Sequence, residues 1–132
     1  MEVAIREALR SKSEGDYAVG AVIVKDDELI VKAGNRVKID QDPTHHAEIV
    51  AIRAASKRLG KKHLEECILY TTHEPCLMCA GAAIWARMKG IVCGAKIEDM
   101  AKYRTVNGSE VWSWRTIDMP ASKILEKGNP KL

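Results

Sequence analysis

Cys67-Ile68-Leu69-Tyr70-Thr71, Pro75-Cys76-Leu77-Met78-Cys79 and Ile91-Val92-Cys93-Gly94-Ala95 follow one another in the second half of the chain, and their reading decides the fold. The first and third runs are short, uncharged and mostly apolar, the pattern of strands buried on both faces. Between them Pro75 suits the first position of a helix running from Cys76 to Arg87. Strand, helix and strand in this order predict two parallel strands joined by a right-handed crossover.

Upstream, a helix is expected from Thr44 to Leu59, with Ile49, Ile52, Ala55 and Leu59 as its buried stripe and Gly60 as its stop. Basic residues crowd its second half at Arg53, Lys57, Arg58, Lys61 and Lys62. Further back, Tyr17 to Val24 and Glu28 to Ala33 read as strands joined at Asp26-Asp27 into a hairpin. Gly34-Asn35 then turns the chain into a polar loop ending at Asp42-Pro43. Residues 2–13 place Ile5, Ala8, Leu9 and Lys12 at helical spacing, and Gly15-Asp16 ends that run. Beyond Ile97 only Ala121 to Lys127 reads as helix. The succession helix, hairpin, helix, strand, helix, strand points to an α/β sandwich of helices around a mixed sheet.

The 132 residues suit one domain, 1–132, and 46% hydrophobic content excludes a disordered chain. A net charge of +3 permits contact with phosphates without demanding it. The first seven residues carry charges where a signal peptide would be apolar, and no run approaches the roughly 18 apolar residues of a membrane span. Four cysteines in a chain able to build a core fit a reducing, cytoplasmic setting better than a disulfide scaffold. Cys67 and Cys93 lie within apolar strands and are expected in the core.

The chemistry lies in His46-Ala47-Glu48 and Cys76-Leu77-Met78-Cys79. One imidazole and two thiols can hold zinc. Three protein ligands leave a tetrahedral ion one position short, which is the pattern of a catalytic site and not of a structural one. Cys76 and Cys79 share one side of a first helical turn, where the helix dipole favours thiolates. Glu48 is left to move protons. Positions 46 and 48 diverge on a regular helix, so both reach one pocket only if His46 stands at the helix entrance.

Taken singly, each residue has a plainer reading. Cys76-x-x-Cys79 can be a redox pair, though nothing around it resembles thioredoxin. His46 can be a core or surface histidine, and Glu48 a solvated first-turn carboxylate. Their coincidence favours one site. His45 and His73 flank the motifs, at the pocket edge or on the surface.

With these residues, the chain resembles the cytidine/deoxycytidylate deaminase superfamily, whose signature is H-x-E followed by P-C-x-x-C. It is most similar to the guanine deaminase, fungal-type cytosine deaminase and tRNA adenosine deaminase branches. The likeness runs from about Val19 to Ala95, through Val19-Gly20-Ala21-Val22-Ile23-Val24, Gly34-Asn35, Asp42-Pro43-Thr44, Leu69-Tyr70-Thr71-Thr72 and Glu74-Pro75-Cys76. The resemblance implies a three-layer α/β/α sandwich with a five-stranded mixed sheet, assembled as a homodimer or larger. It implies one Zn²⁺ per chain held by His46, Cys76 and Cys79, with Glu48 as proton shuttle. It also implies contacts to the substrate base from Asn35, from the backbone N–H of Ala47 and from groups near Glu74. Asn35 can equally serve as a turn residue beside Gly34. The implied reaction replaces a ring amino group with a carbonyl and releases ammonia.

Departures bear on the substrate. His45 stands where the tRNA enzymes commonly have a small residue, and Ala18 where proline is frequent. The segment from Ile97 to Trp114 replaces a run rich in glycine and alanine. Within it Trp112 and Trp114 would share one face of an extended segment, over a flat base or within a subunit interface. Relatives usually continue beyond the position of Leu132 into another helix. Ile84-Trp85-Ala86-Arg87 looks more like the free-base guanine deaminases. The reading is therefore a deaminase of a free nucleobase or nucleoside, guanine or cytosine type. The alternative is a tRNA-specific adenosine deaminase, suggested by Glu74-Pro75-Cys76 and the basic cluster. A zinc-stabilised scaffold without catalysis is the third option, and the intact Glu48 argues against it.

Overall fold

The computed structural model describes residues 1–99 and 102. In chain order the elements are α1 (Glu2–Ser13), β1 (Gly20–Lys25), β2 (Glu28–Gly34), α2 (Ala47–Leu59), β3 (Cys67–His73), α3 (Leu77–Trp85) and β4 (Gly90–Ala95). The strands form one sheet in the order β2-β1-β3-β4. β1 is antiparallel to both β2 and β3, whereas β3 and β4 run parallel, so the sheet is mixed. Four strands are present among the described residues, one fewer than expected. A fifth would follow β4 and lie outside the described residues, as do Trp112, Trp114 and the helix expected at Ala121 to Lys127.

The β1–β2 connection is the expected hairpin, and Asp26 and Asp27 both take positive φ, 49° and 62°. Two such residues in succession give the turn twist that suits paired strands.

The sheet is covered on both faces. α2 and α3 share one face, where Ala47, Ala51, Ile52, Ala55, Ala80 and Ala83 pack with Ala21, Ile23, Leu69 and Ile91 into the main core. α1 covers the opposite face of β1 and β2. Its contact surface is not the one the apolar spacing suggested: Ile5 and Leu9 are exposed, and Ala4, Glu7, Ala8 and Ser11 are buried. The cause is close approach. A Cβ on Gly20 would collide with the Ala4 carbonyl and come within 2.6 Å of the Ala8 nitrogen. Only small side chains fit a helix seated that near a strand. Glu7 tolerates the position because Arg10 and Lys32 pair with it, at 2.7 and 3.2 Å.

Three further expectations are corrected. α2 begins at Ala47, not near Thr44, because the Asp42 carboxylate accepts hydrogen bonds from the Thr44 N–H at 2.8 Å and its hydroxyl at 2.7 Å, holding a turn. α3 begins at Leu77 and ends at Trp85, with Cys76 as its N-cap and Pro75 one residue before it. Cys93 is only half-buried, since β4 is the last strand of the described sheet and its outer face is largely open. Cys67 is buried as expected.

Candidate active site

The N-termini of α2 and α3 meet beyond the C-terminal end of β3. His46 is the N-cap of α2 and takes extended backbone angles, φ −62° and ψ 150°. Cys76 caps α3 in the same way, φ −68° and ψ 171°. An extended cap breaks the helical spacing, so His46 turns toward Cys76 while Glu48 projects from the first turn of α2. That is how positions 46 and 48 reach the same pocket.

His46 Nδ1 lies 3.6 Å from Cys76 Sγ and 3.6 Å from Cys79 Sγ, and the two sulfurs are 3.6 Å apart. Zinc bond lengths of about 2.3 Å to sulfur and about 2.1 Å to nitrogen, at tetrahedral angles, require ligand separations of about 3.6–3.8 Å. The trio fits the ion. Among the described residues it is also the one group of histidine, cysteine and carboxylate donors close enough to share a metal. Glu48 touches Cys79, with Oε2 3.6 Å from its sulfur, but is not part of that trio.

The electrostatics suit a cation. The adjacent Cys79 thiol holds Cys76 down to about 4, despite its burial, with further help from His46 and the Cys79 N–H. The same hydrogen bond pushes Cys79 up, as do burial and the nearby Glu48 carboxyl. The pair thus loses one proton readily and resists losing the second until a positive charge is supplied.

Burial pushes the Glu48 carboxyl above its ordinary value of 4.5, and the side chain is only 3% exposed. Thr71, fully buried on β3, donates its hydroxyl to Glu48 Oε1 at 3.0 Å. Sequence reading passed over Thr71 as one more strand residue. Its signal was alternation, since Cys67, Leu69 and Thr71 share the buried face of β3.

The remaining expected site residues are placed as follows. Ala47 is buried at the first position of α2, where a backbone N–H has no partner within the helix. Asn35, 4% exposed, follows β2 and donates its side-chain Nδ2 to Asp16 at 2.8 Å. Glu74 links β3 to β4 through its N–H and the Ala95 carbonyl, and its carboxylate accepts from the Ile97 N–H at 3.1 Å. His45 is turned to Asp40 at 2.8 Å and Asp42 at 3.1 Å, with Arg53 3.0 Å from Nε2, and so joins a surface cluster and not the donor trio.

Residues 1–95 match the family described as the cytidine and deoxycytidylate deaminase zinc-binding region. The chain belongs to that family. Among this deaminase's relatives is a tRNA-specific adenosine deaminase of Aquifex aeolicus, 47% identical over all of this chain and 93% of its own length. A guanine deaminase of Bacillus subtilis is 45% identical over 79% of this chain, which spans 65% of that relative's length. The solved structure of Bacillus subtilis guanine deaminase superposes with a TM-score of 0.74 at 35% identity, covering 99% of this chain and 94% of that one. The fold is that of the cytidine deaminases, the family is a zinc-binding one, and these curated relatives are hydrolases acting on C–N bonds of bases.

Proposed function

We propose that this deaminase hydrolyses the exocyclic amino group of a free nucleobase or nucleoside, guanine or cytosine type, with His46, Cys76 and Cys79 holding one zinc ion and Glu48 moving the protons. The observation that carries the reading is the Glu48 carboxyl, buried, raised in pKa and anchored by Thr71 against the edge of a three-donor cluster of zinc dimensions. Zinc bound there supplies Lewis acidity, which lowers the pKa of a water from about 16 toward 7.

Glu48 carries two protons in turn: the first passes from the attacking water to the ring nitrogen, and the second from the hydroxyl of the resulting adduct to the departing amine. A carboxyl poised above its ordinary value suits both tasks. The first-turn N–H of Ala47 faces the same helix entrance, where partial positive charge favours an acceptor atom of the base. Asn35 holds the edge of the base, and the chain segment at Glu74 borders the pocket.

We take residues 1–132 as one deaminase domain acting in the cytoplasm as a homodimer, with a fifth strand completing the sheet. No helix among the described residues is long and apolar enough to cross a membrane.

A tRNA adenosine substrate is the second reading. The full-length similarity to the Aquifex aeolicus relative favours it, together with the exposed cations Arg53, Lys57, Arg58, Lys61 and Lys62. Ammonia release from guanine, cytosine, adenine and their nucleosides, alongside an adenosine-containing tRNA anticodon stem-loop, separates the two. Turnover of a small base with RNA affinity flat in salt supports the first. Turnover of the stem-loop alone, with affinity falling steeply as salt rises, supports the second. Silence across the panel, or activity that survives Glu48→Ala, would remove the assignment.

A further inference from the structure

Asp16 follows α1, is only 6% exposed, and lies outside the zinc and proton-transfer groups. Its carboxylate accepts four hydrogen bonds. Oδ1 takes the Tyr17 N–H at 2.7 Å and Asn35 Nδ2 at 2.8 Å, while Oδ2 takes the N–H groups of Lys38 and Ile39 at 2.8 and 3.0 Å. Burial pushes this carboxyl up, but the four bonds together outweigh it and hold the group below its ordinary value of 3.8. Asp16 is therefore ionised, and an ionised carboxylate only accepts.

An acceptor-only neighbour leaves the Asn35 amide one orientation, with Nδ2 toward Asp16 and Oδ1 away from it. The Asn35 backbone is pinned as well: its N–H donates to the Val19 carbonyl at 2.9 Å and its carbonyl accepts the Ser11 hydroxyl at 2.6 Å. No buried side-chain nitrogen or oxygen among the described residues lacks a partner. Asn35 Oδ1, which receives no hydrogen bond from them, is accordingly the atom this otherwise enclosed side chain presents to solvent. Asp16 also grips the loop that leads to His46, and Lys38 of that loop lies over the Tyr17 ring at 4.4 Å.

We propose that Asp16 is a positioning residue for substrate choice: by binding Asn35 Nδ2 it presents Asn35 Oδ1 as a fixed acceptor, so the pocket selects a base with an N–H donor at that edge. The proposal rests on the reading that Asn35 touches the base. A base offering an acceptor there would face oxygen against oxygen, leaving both unpaired, and discrimination of that kind is steep.

The test is a double-variant cycle on the zinc-loaded full chain, with the guanine and cytosine panel as substrate. Asp16→Asn should keep its zinc and raise KM about tenfold to a hundredfold, with a smaller change in kcat, because a side chain held in place is released. Asn35→Ala should do the same, and the double variant should be no worse than Asn35→Ala alone. Losses that multiply, or a folded Asp16→Asn with unchanged KM, overturn the proposal. If Asn35→Ala is silent while Glu48→Ala is inactive, the Asp16 role falls and the deaminase reading stands. If every protein including the parent is inactive, the deaminase reading itself fails. Should Asp16→Asn not fold, NMR on the unaltered protein decides. One Asn35 Nδ2 proton protected from exchange is expected, and two protons exchanging like a free amide would overturn the proposal.

Discussion

Glu48 combines two features that water would keep apart: it is almost fully enclosed, yet it keeps a hydroxyl partner in Thr71. Replacing it by glutamine keeps shape and removes proton transfer. Glu48→Gln should retain one zinc per chain by elemental analysis while turnover falls by about 10²–10⁴. In the metal-free protein the same substitution tests the electrostatics. Because burial raises the folded-state pKa, the stability linked to the protonated carboxyl is complete below its ordinary value of 4.5 and is lost as pH rises through the raised value. Metal-free Glu48→Gln should therefore melt above the metal-free parent, with a gap that widens toward higher pH. A constant gap would mean that Glu48 is not perturbed. Thr71→Val leaves Glu48 Oε1 without its donor and should cost about 1–3 kcal/mol in chemical denaturation, with reduced kcat. The residues of His46-x-Glu48 and Cys76-x-x-Cys79 were legible because each half-motif is local. Thr71 to Glu48 and Asp16 to Asn35 were not, since these partners lie 23 and 19 positions apart and meet only once the sheet has formed.

Among the elements, the helix termini set the chemistry and small residues set the packing. His46 and Cys76 both act as N-caps, so two helix N-termini point their partial positive charge at one place. Sequence placed both helices but set their starts too early. Asp42 captures Thr44 before α2 can begin, and Pro75 precedes the cap instead of opening the helix. α1 lies where the spacing of residues 2–13 puts it, but of the apolar residues at that spacing Ala8 is buried while Ile5 and Leu9 are exposed. Periodicity reports an apolar face, but the close approach of β1 at Gly20 and of β2 at Gly34 favours Ala4, Ala8 and Ser11 there. Gly20→Ala should accordingly destabilise the protein by about 3 kcal/mol by forcing α1 off the sheet. An unchanged denaturation midpoint would show that α1 can retreat without cost.

For the whole molecule, zinc should act as a folding ligand as well as a reagent. Cys79→Ala, or chelation of the parent, should lower the melting temperature and abolish metal binding, because the ion binds the folded donors far better than the unfolded chain. Zinc content unchanged in Cys79→Ala would contradict the three-donor site. Asp16 adds an acid limb: its folded-state pKa is depressed, so its stabilisation holds above the ordinary value of 3.8 and is lost as pH falls through the lower one. Asp16→Asn should show a shallower acid transition than the parent when unfolding is followed by circular dichroism. The sequence by itself determined the order of helices and strands and the candidate metal donors and proton carrier, because these depend on residue type and short spacing. Only the tertiary structure decided which face of α1 is buried, that Thr71 holds Glu48, and that Asp16 orients Asn35. Those choices depend on distances between segments far apart in the chain, which local patterning does not encode.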